Sequence, residues 1–227
     1  MTRKVTAMNR TLAVVASVAG SAVAVGAASA GHLGYWNSPD DFYVRVSYMV
    51  DFDQSRDASF FNPPFVTGLP GAGGMYCVPT ASSDLMAYID RHGFVDAPGV
   101  DGPGLENWSD EDDVSAYNIA TSYIRDMGLD MNTSATGGTN NNNNQIYNAV
   151  RGRLPGALFD VCYFGRTDTW APKASNIGNW MKQGGIVQFC YGRWNIGFSG
   201  DDLVSRDTGH CVVATKVDKR AFMQYDD

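Results

Sequence analysis

The chain has 227 residues, with 17 basic and 24 acidic side chains and a formal net charge of −7. That acidic balance argues against nucleic acid and anionic membrane surfaces as partners. Four cysteines and three histidines, at spacings that match no zinc-binding pattern, give no reason to expect a metal or other cofactor.

Arg3, Lys4 and Arg10 make a basic start, Thr11 to Ala28 is apolar or small, and Ala28-Ser29-Ala30 fits a small-x-small cleavage site. This predicts a secretory signal peptide over residues 1–30, cleaved after Ala30, and so a secreted or periplasmic protein. A membrane anchor is the weaker reading, because the run is rich in Ala and Gly and no stop-transfer charges follow. The remaining 197 residues, 31–227, are enough for one domain with a substantial core. Three basic residues and no acid fall in the first thirty positions, so the remainder carries 14 basic against 24 acidic side chains, a net −10.

Along that remainder, Tyr43 to Tyr48 reads as a strand within an aromatic/polar alternation. Residues 51–76 read as a loop with Pro63-Pro64 and a glycine-rich stretch from Gly68 to Gly74. Asp51 and Asp53 carry no EF-hand spacing, so calcium is rejected. Val78 to His92 reads as a helix, with Pro79 in its first turn, an apolar stripe of Leu85, Met86, Tyr88 and Ile89, and Gly93 to stop it. After a loop over 94–108, a second helix is expected, capped by Ser109 and ended by Gly128, with Val114, Tyr117, Ile119, Tyr123 and Ile124 facing inward. The Asn140–Asn144 run reads as a surface loop or a cap for a third helix, Gln145 to Leu154. Then come a strand from Leu158 to Phe164, a short helix from Ser175 to Gln183 stopped by Gly184-Gly185, a strand from Ile186 to Tyr191, a Gly/Asp loop over 200–209, and a strand from His210 to Val217. Helices first and strands later make an α+β order: a helical part carrying Cys77, packed on a mostly antiparallel sheet carrying His210.

Export permits disulfides, and four cysteines allow three pairings. Cys162 and Cys190 both sit in strand-like runs and are the expected bridge; two buried free thiols is the alternative. Cys77 is different, because it stands where a helix begins. Helix N-terminal amides favour a thiolate, and a neighbouring imidazolium favours it further. His210 follows Gly209 at the head of an apolar strand and is the expected general base. His32 falls in an expected loose terminus, and His92 at a helix end where it can satisfy carbonyls. Strand alternation puts Cys211 on the face opposite His210. Gln54 is the candidate oxyanion donor, acting with the backbone N–H of Cys77. A hairpin near Lys219-Arg220 would return Asp226 or Asp227 to His210 as its orienting acid; Asp218 lies too far along the strand.

Tyr76-Cys77-Val78-Pro79-Thr80, Trp180-Met181-Lys182-Gln183-Gly184-Gly185-Ile186-Val187 and Gly209-His210-Cys211-Val212-Val213 occur in that order. Together they resemble the papain-like cysteine peptidases, closest to the bacterial double-glycine leader peptidase (C39-like) branch, over roughly residues 44–227. The resemblance implies a papain-like fold and a peptide or protein substrate. It also implies Cys77 as nucleophile, His210 as general base and acid, Gln54 as oxyanion donor and Asp226 as the residue orienting His210. Three positions depart from the family pattern. Val78 replaces the usual glycine, Gln54 lies 23 positions before Cys77, and no proline follows Asp226. Two other functions suit the same residues: a transglutaminase-like or amidase acyl transfer, and a non-catalytic exported module that keeps the fold.

Overall fold

From Val78 to Asp90 every side chain is buried, including Thr80, Ser82, Ser83, Asp84 and Asp90. A helix covered on all sides is the centre of a domain rather than its surface. In this computed structural model, which describes residues 10–15, 32–58, 68–91, 114–139, 144–154, 159–164, 174–196 and 203–219, that helix is α1, Cys77–Arg91. It lies between α2, Val114–Asp130, and the strand pair β7, Ile186–Ile196, and β8, Leu203–Ala214.

Around this centre stand two larger antiparallel sheets. One has β6, Asp160–Phe164, and β7 on either side of β1, Arg10–Val15, with β8 outermost beside β7. The strand β1 lies inside the expected leader. In the other sheet β3, Asp41–Val46, pairs with β2, His32–Ser38, and with β9, Lys216–Lys219. The chain crosses between the sheets at Thr215, whose carbonyl accepts the Val46 N–H at 2.9 Å. A two-stranded hairpin, β4, Thr133–Ser134, with β5, Gly138–Thr139, precedes α3, Gln145–Arg153, and α4, Ala174–Lys182, leads into β7. The architecture is mixed α+β with antiparallel sheets, as expected, but β1, β2 and β3 precede α1, so the helices do not come first.

Several boundaries differ from expectation for identifiable reasons. The second helix does not stop at Gly128; it continues to Asp130. Gly128 is buried against the ring of Tyr76, and a methyl there would sit 2.5 Å from that ring, so the glycine serves packing rather than termination. Its proposed cap, Ser109, lies outside the described residues, as do His92 and Gly93. Of the expected inward face, Tyr117 and Ile124 are buried, together with Ala120, Thr121 and Met127, whereas Val114, Ile119 and Tyr123 are half-buried. The strand expected to run to Tyr48 ends at Val46, and Tyr48 is exposed with φ 60°. His32, placed in a loose terminus, begins β2 opposite Val46. The Asn144 side chain makes no capping hydrogen bond to α3.

The α4 stop is as expected. Gly184 adopts φ +89°, its N–H donates to Met181 O at 3.0 Å, and the Gly185 N–H donates to Trp180 O at 2.9 Å, the paired bonds of a Schellman ending. On the same helix, Gly178 is buried under Phe42, and a methyl at Gly178 would lie 2.4 Å from that ring. Replacing a helical glycine by alanine in open space stabilises by about 1 kcal/mol. Here Gly178→Ala is expected to destabilise by about 1–3 kcal/mol through overpacking, read as a lower midpoint in urea with an unchanged slope.

Candidate active site

Cys77 opens α1 after a tight turn. Pro70–Gly73 forms a short 3-10 segment in which Gly71, Ala72 and Gly73 all have left-handed φ values of 61°, 51° and 82°. The Tyr76 N–H then donates to Gly73 O at 2.9 Å, and Tyr76 O accepts the Thr80 N–H at 2.9 Å to start the helix. The backbone N–H groups of Cys211, Val78 and Cys77 itself stand close enough to the half-buried Cys77 thiol to favour its anion. Two of these donors belong to the helix start and one to β8, immediately after His210.

Gln54 reaches this turn despite its distance in sequence. The Arg56 N–H donates to Ala72 O at 3.1 Å, and the Leu69 N–H donates to Arg56 O at 2.9 Å. Arg56 and Leu69 are thereby brought side by side next to the turn before Cys77. A Cβ on Gly73 would lie 1.6 Å from the Gln54 carbonyl oxygen, so only glycine allows the two backbones to touch. The Gln54 Nε2 is 3.5 Å from both Gly73 O and Gly74 O, at the limit of hydrogen bonding.

Two buried ionisable residues fasten the loop that holds Gln54. Asp84, on α1, accepts the Phe52 N–H at 2.8 Å. Arg56, 3% exposed, donates through Nε to Asp53 O at 2.8 Å and through Nη1 to Thr121 Oγ1 at 3.2 Å, with its guanidinium 4.8 Å from the centre of the Tyr117 ring. Sequence reasoning missed both. A carboxylate two helical turns from Cys77, on the same helix face, is the signal that was available for Asp84.

His210 does not open its strand. The expected loop over 200–209 is strand from Leu203 onward, and Gly209 pairs with Gly192 while His210 pairs with Tyr191. Long β7–β8 pairing satisfies backbone groups that a loop would leave to solvent. The His210 ring meets Tyr191 edge-on, with centroids 6.0 Å apart and planes at 88°. No hydrogen bond joins the His210 ring to the Cys77 thiol among the described contacts, although the Cys211 N–H reaches the sulfur. The disulfide also differs from expectation. Cys190 bonds to Cys211, its register partner across β7 and β8, while Cys162 is free and exposed on β6. Pairing across adjacent strands needs only that two cysteines be register partners, which is invisible without the register. Asp226 and Asp227 lie outside the described residues, so the orienting acid has no described position. Asp218 sits in the other sheet opposite Tyr43, 3.4 Å from Lys216 Nζ.

Burial is the strongest influence on the Cys77 thiol and pushes its pKa up. The N–H groups of Cys211, Val78 and Cys77 pull the other way without overcoming it. Burial likewise raises Asp84 well above the ordinary carboxylate range; the Phe52 N–H and Arg56 oppose the rise and Asp51 adds to it. Because the folded Asp84 holds its proton more tightly than the unfolded one, its contribution to stability is complete below the ordinary carboxylate pKa. That contribution is lost as pH rises through the folded value. Stability should therefore fall from about pH 4 upward, with a limiting slope of about 1.4 kcal/mol per pH unit. Asp84→Asn, which keeps an acceptor for the Phe52 N–H, should flatten that dependence in a pH series of thermal melts. Gly73→Ala should lower stability by about 1–3 kcal/mol and, in a crystal structure, part the Gln54 backbone from the Cys77 turn. No protein-family model, curated protein or solved structure matches this chain.

Proposed function

We propose that this chain is an exported papain-like thiol peptidase in which Cys77 attacks the scissile carbonyl and His210 manages the protons. One observation carries the reading. α1 packs on β8 with the Cys211 backbone N–H near enough to the Cys77 sulfur to favour its anion, so the nucleophile lies near the residue that follows the candidate base. Gln54, drawn to the turn before Cys77, brings its side-chain amide beside the Gly73 and Gly74 carbonyls.

In this reaction the Cys77 thiolate forms an S–C bond to the peptide carbonyl. The resulting oxyanion is held by the Cys77 N–H and the Gln54 amide. His210, as imidazolium, gives its proton to the amine nitrogen as the C–N bond breaks, leaving a thioester. Water, deprotonated by the now neutral His210, attacks that thioester, and the thiol leaves as the acid product forms. Asp226 is the residue proposed to orient His210. Burial works against the thiolate, so the imidazolium is the element the reading most needs.

A second reading, an exported module that keeps the fold without catalysis, is favoured by the raised thiol and by the missing thiol–imidazole hydrogen bond. A quenched-peptide panel separates the two. Cys77→Ala and His210→Ala should each lower kcat/KM by at least about 10³-fold, and Gln54→Ala by about 10²–10³-fold, with the fold retained by circular dichroism. Undiminished turnover in Cys77→Ala would end the peptidase reading. Failure of an iodoacetamide probe to label Cys77 near neutral pH would favour the inert module.

A further inference from the structure

Gln188 is fully buried on β7, in a strand otherwise filled here by Ile186 and Val187. A buried carboxamide is tolerated only when its polar atoms find partners. Gln188 Oε1 accepts the Ser82 hydroxyl at 2.7 Å, and Nε2 donates to Val78 O at 3.2 Å and points at Cys190 Sγ, 4.0 Å away. Two of these partners are on α1, which carries Cys77, and the third is on the Gln188 strand itself, which pairs with the β8 strand of His210. Val78 follows Cys77 in the first turn of α1, and Ser82 is one turn further along. Cys190 is bonded to Cys211, the residue next to His210. An apolar side chain of similar length would fill the same space without any of these bonds. A methionine there would leave the separation between helix start and strand to packing alone.

We propose that Gln188 is a positioning residue that holds the first turn of α1, and so the Cys77 sulfur, in register with the β7–β8 strands that carry His210. The inference rests on the peptidase reading but adds a residue to it. Gln188 touches neither substrate nor the Cys77 sulfur; its amide fixes the Val78 carbonyl and Ser82 from one side while the Cys190–Cys211 bridge ties its own strand to that of His210. The partners are directional, so loss of the amide lets the helix end shift by fractions of an ångström, enough to weaken a proton transfer that depends on alignment.

The test measures the rate of Cys77 alkylation by iodoacetamide from pH 5 to 10 in the full chain, alongside peptide turnover. Gln188→Met keeps the length and bulk of the side chain. Ser82→Ala removes only the hydroxyl donor and inserts the strongest helix former, so it should remain folded. In both, alkylation at pH 6 should fall about tenfold, equivalent to a shift of one pKa unit. The rate at pH 10 should be unchanged, and kcat should drop about 10-fold or more with KM within twofold. A merely structural Gln188 would lower the melting temperature and leave the pH profile of alkylation where it is; that result, in either folded variant, overturns the proposal. A wild-type Cys77 that shows no reactivity at neutral pH and no turnover overturns the peptidase reading and this one together. A reactive wild type with an unmoved profile in the variants removes the role of Gln188 alone.

Discussion

A helix buried along its whole length can offer chemistry only at its ends. That constraint organises the molecule. α1 is enclosed by α2 on one side and by β7 and β8 on the other, so the sole half-exposed position in its first turn is Cys77. What surrounds the sulfur is then decided by the neighbours of the helix start: the glycine turn before it, the loop bearing Gln54, and the backbone of β8. Enclosure brings donors close but strips solvent from the thiol, and the second effect is the larger.

The same enclosure makes polar residues in the helix informative. Ser82 and Asp84 are fully or nearly buried, and each meets a partner from a distant part of the chain: Ser82 meets Gln188, and Asp84 meets the Phe52 amide. The central helix thus acts as a spine to which both the Gln54 loop and the strand pair are attached by directional bonds rather than by apolar contact alone. Arg56 performs the matching task from the loop side, reaching α2 through Thr121 while its carbonyl accepts the Leu69 N–H.

Local chemistry made much of this readable in the sequence. Pro79 near a helix start, Gly184-Gly185 after an amphipathic run and the apolar stretch from Ile186 locate the starts of α1, α4 and β7 to within one residue, whereas β7 runs five residues past Tyr191. Long-range pairing was less accessible. The Cys190–Cys211 bridge depends on which residues of β7 and β8 face each other, and the change of sheet at Thr215 depends on β3 being there to receive β9. Gly128 misled for a related reason. A glycine that ends a helix and one that admits an aromatic ring look alike until the ring's position is known. Cys77, His210 and Gln54 stood out through residue type and motif; Gln188 and Asp84 were hidden because a polar letter in an apolar run has meaning only once its partner is known.

The Cys190–Cys211 crosslink has a consequence for how the chain matures. Cys190 and Cys211 are joined on the strand pair against which α1 packs, while Cys77 at the start of that helix is free. Under oxidising conditions a wrong link from Cys77 to Cys190 or Cys211 would leave the other register partner unpaired. The separation of 21 residues makes closure of the Cys190–Cys211 loop entropically cheaper than a link from either cysteine to the far more distant Cys77.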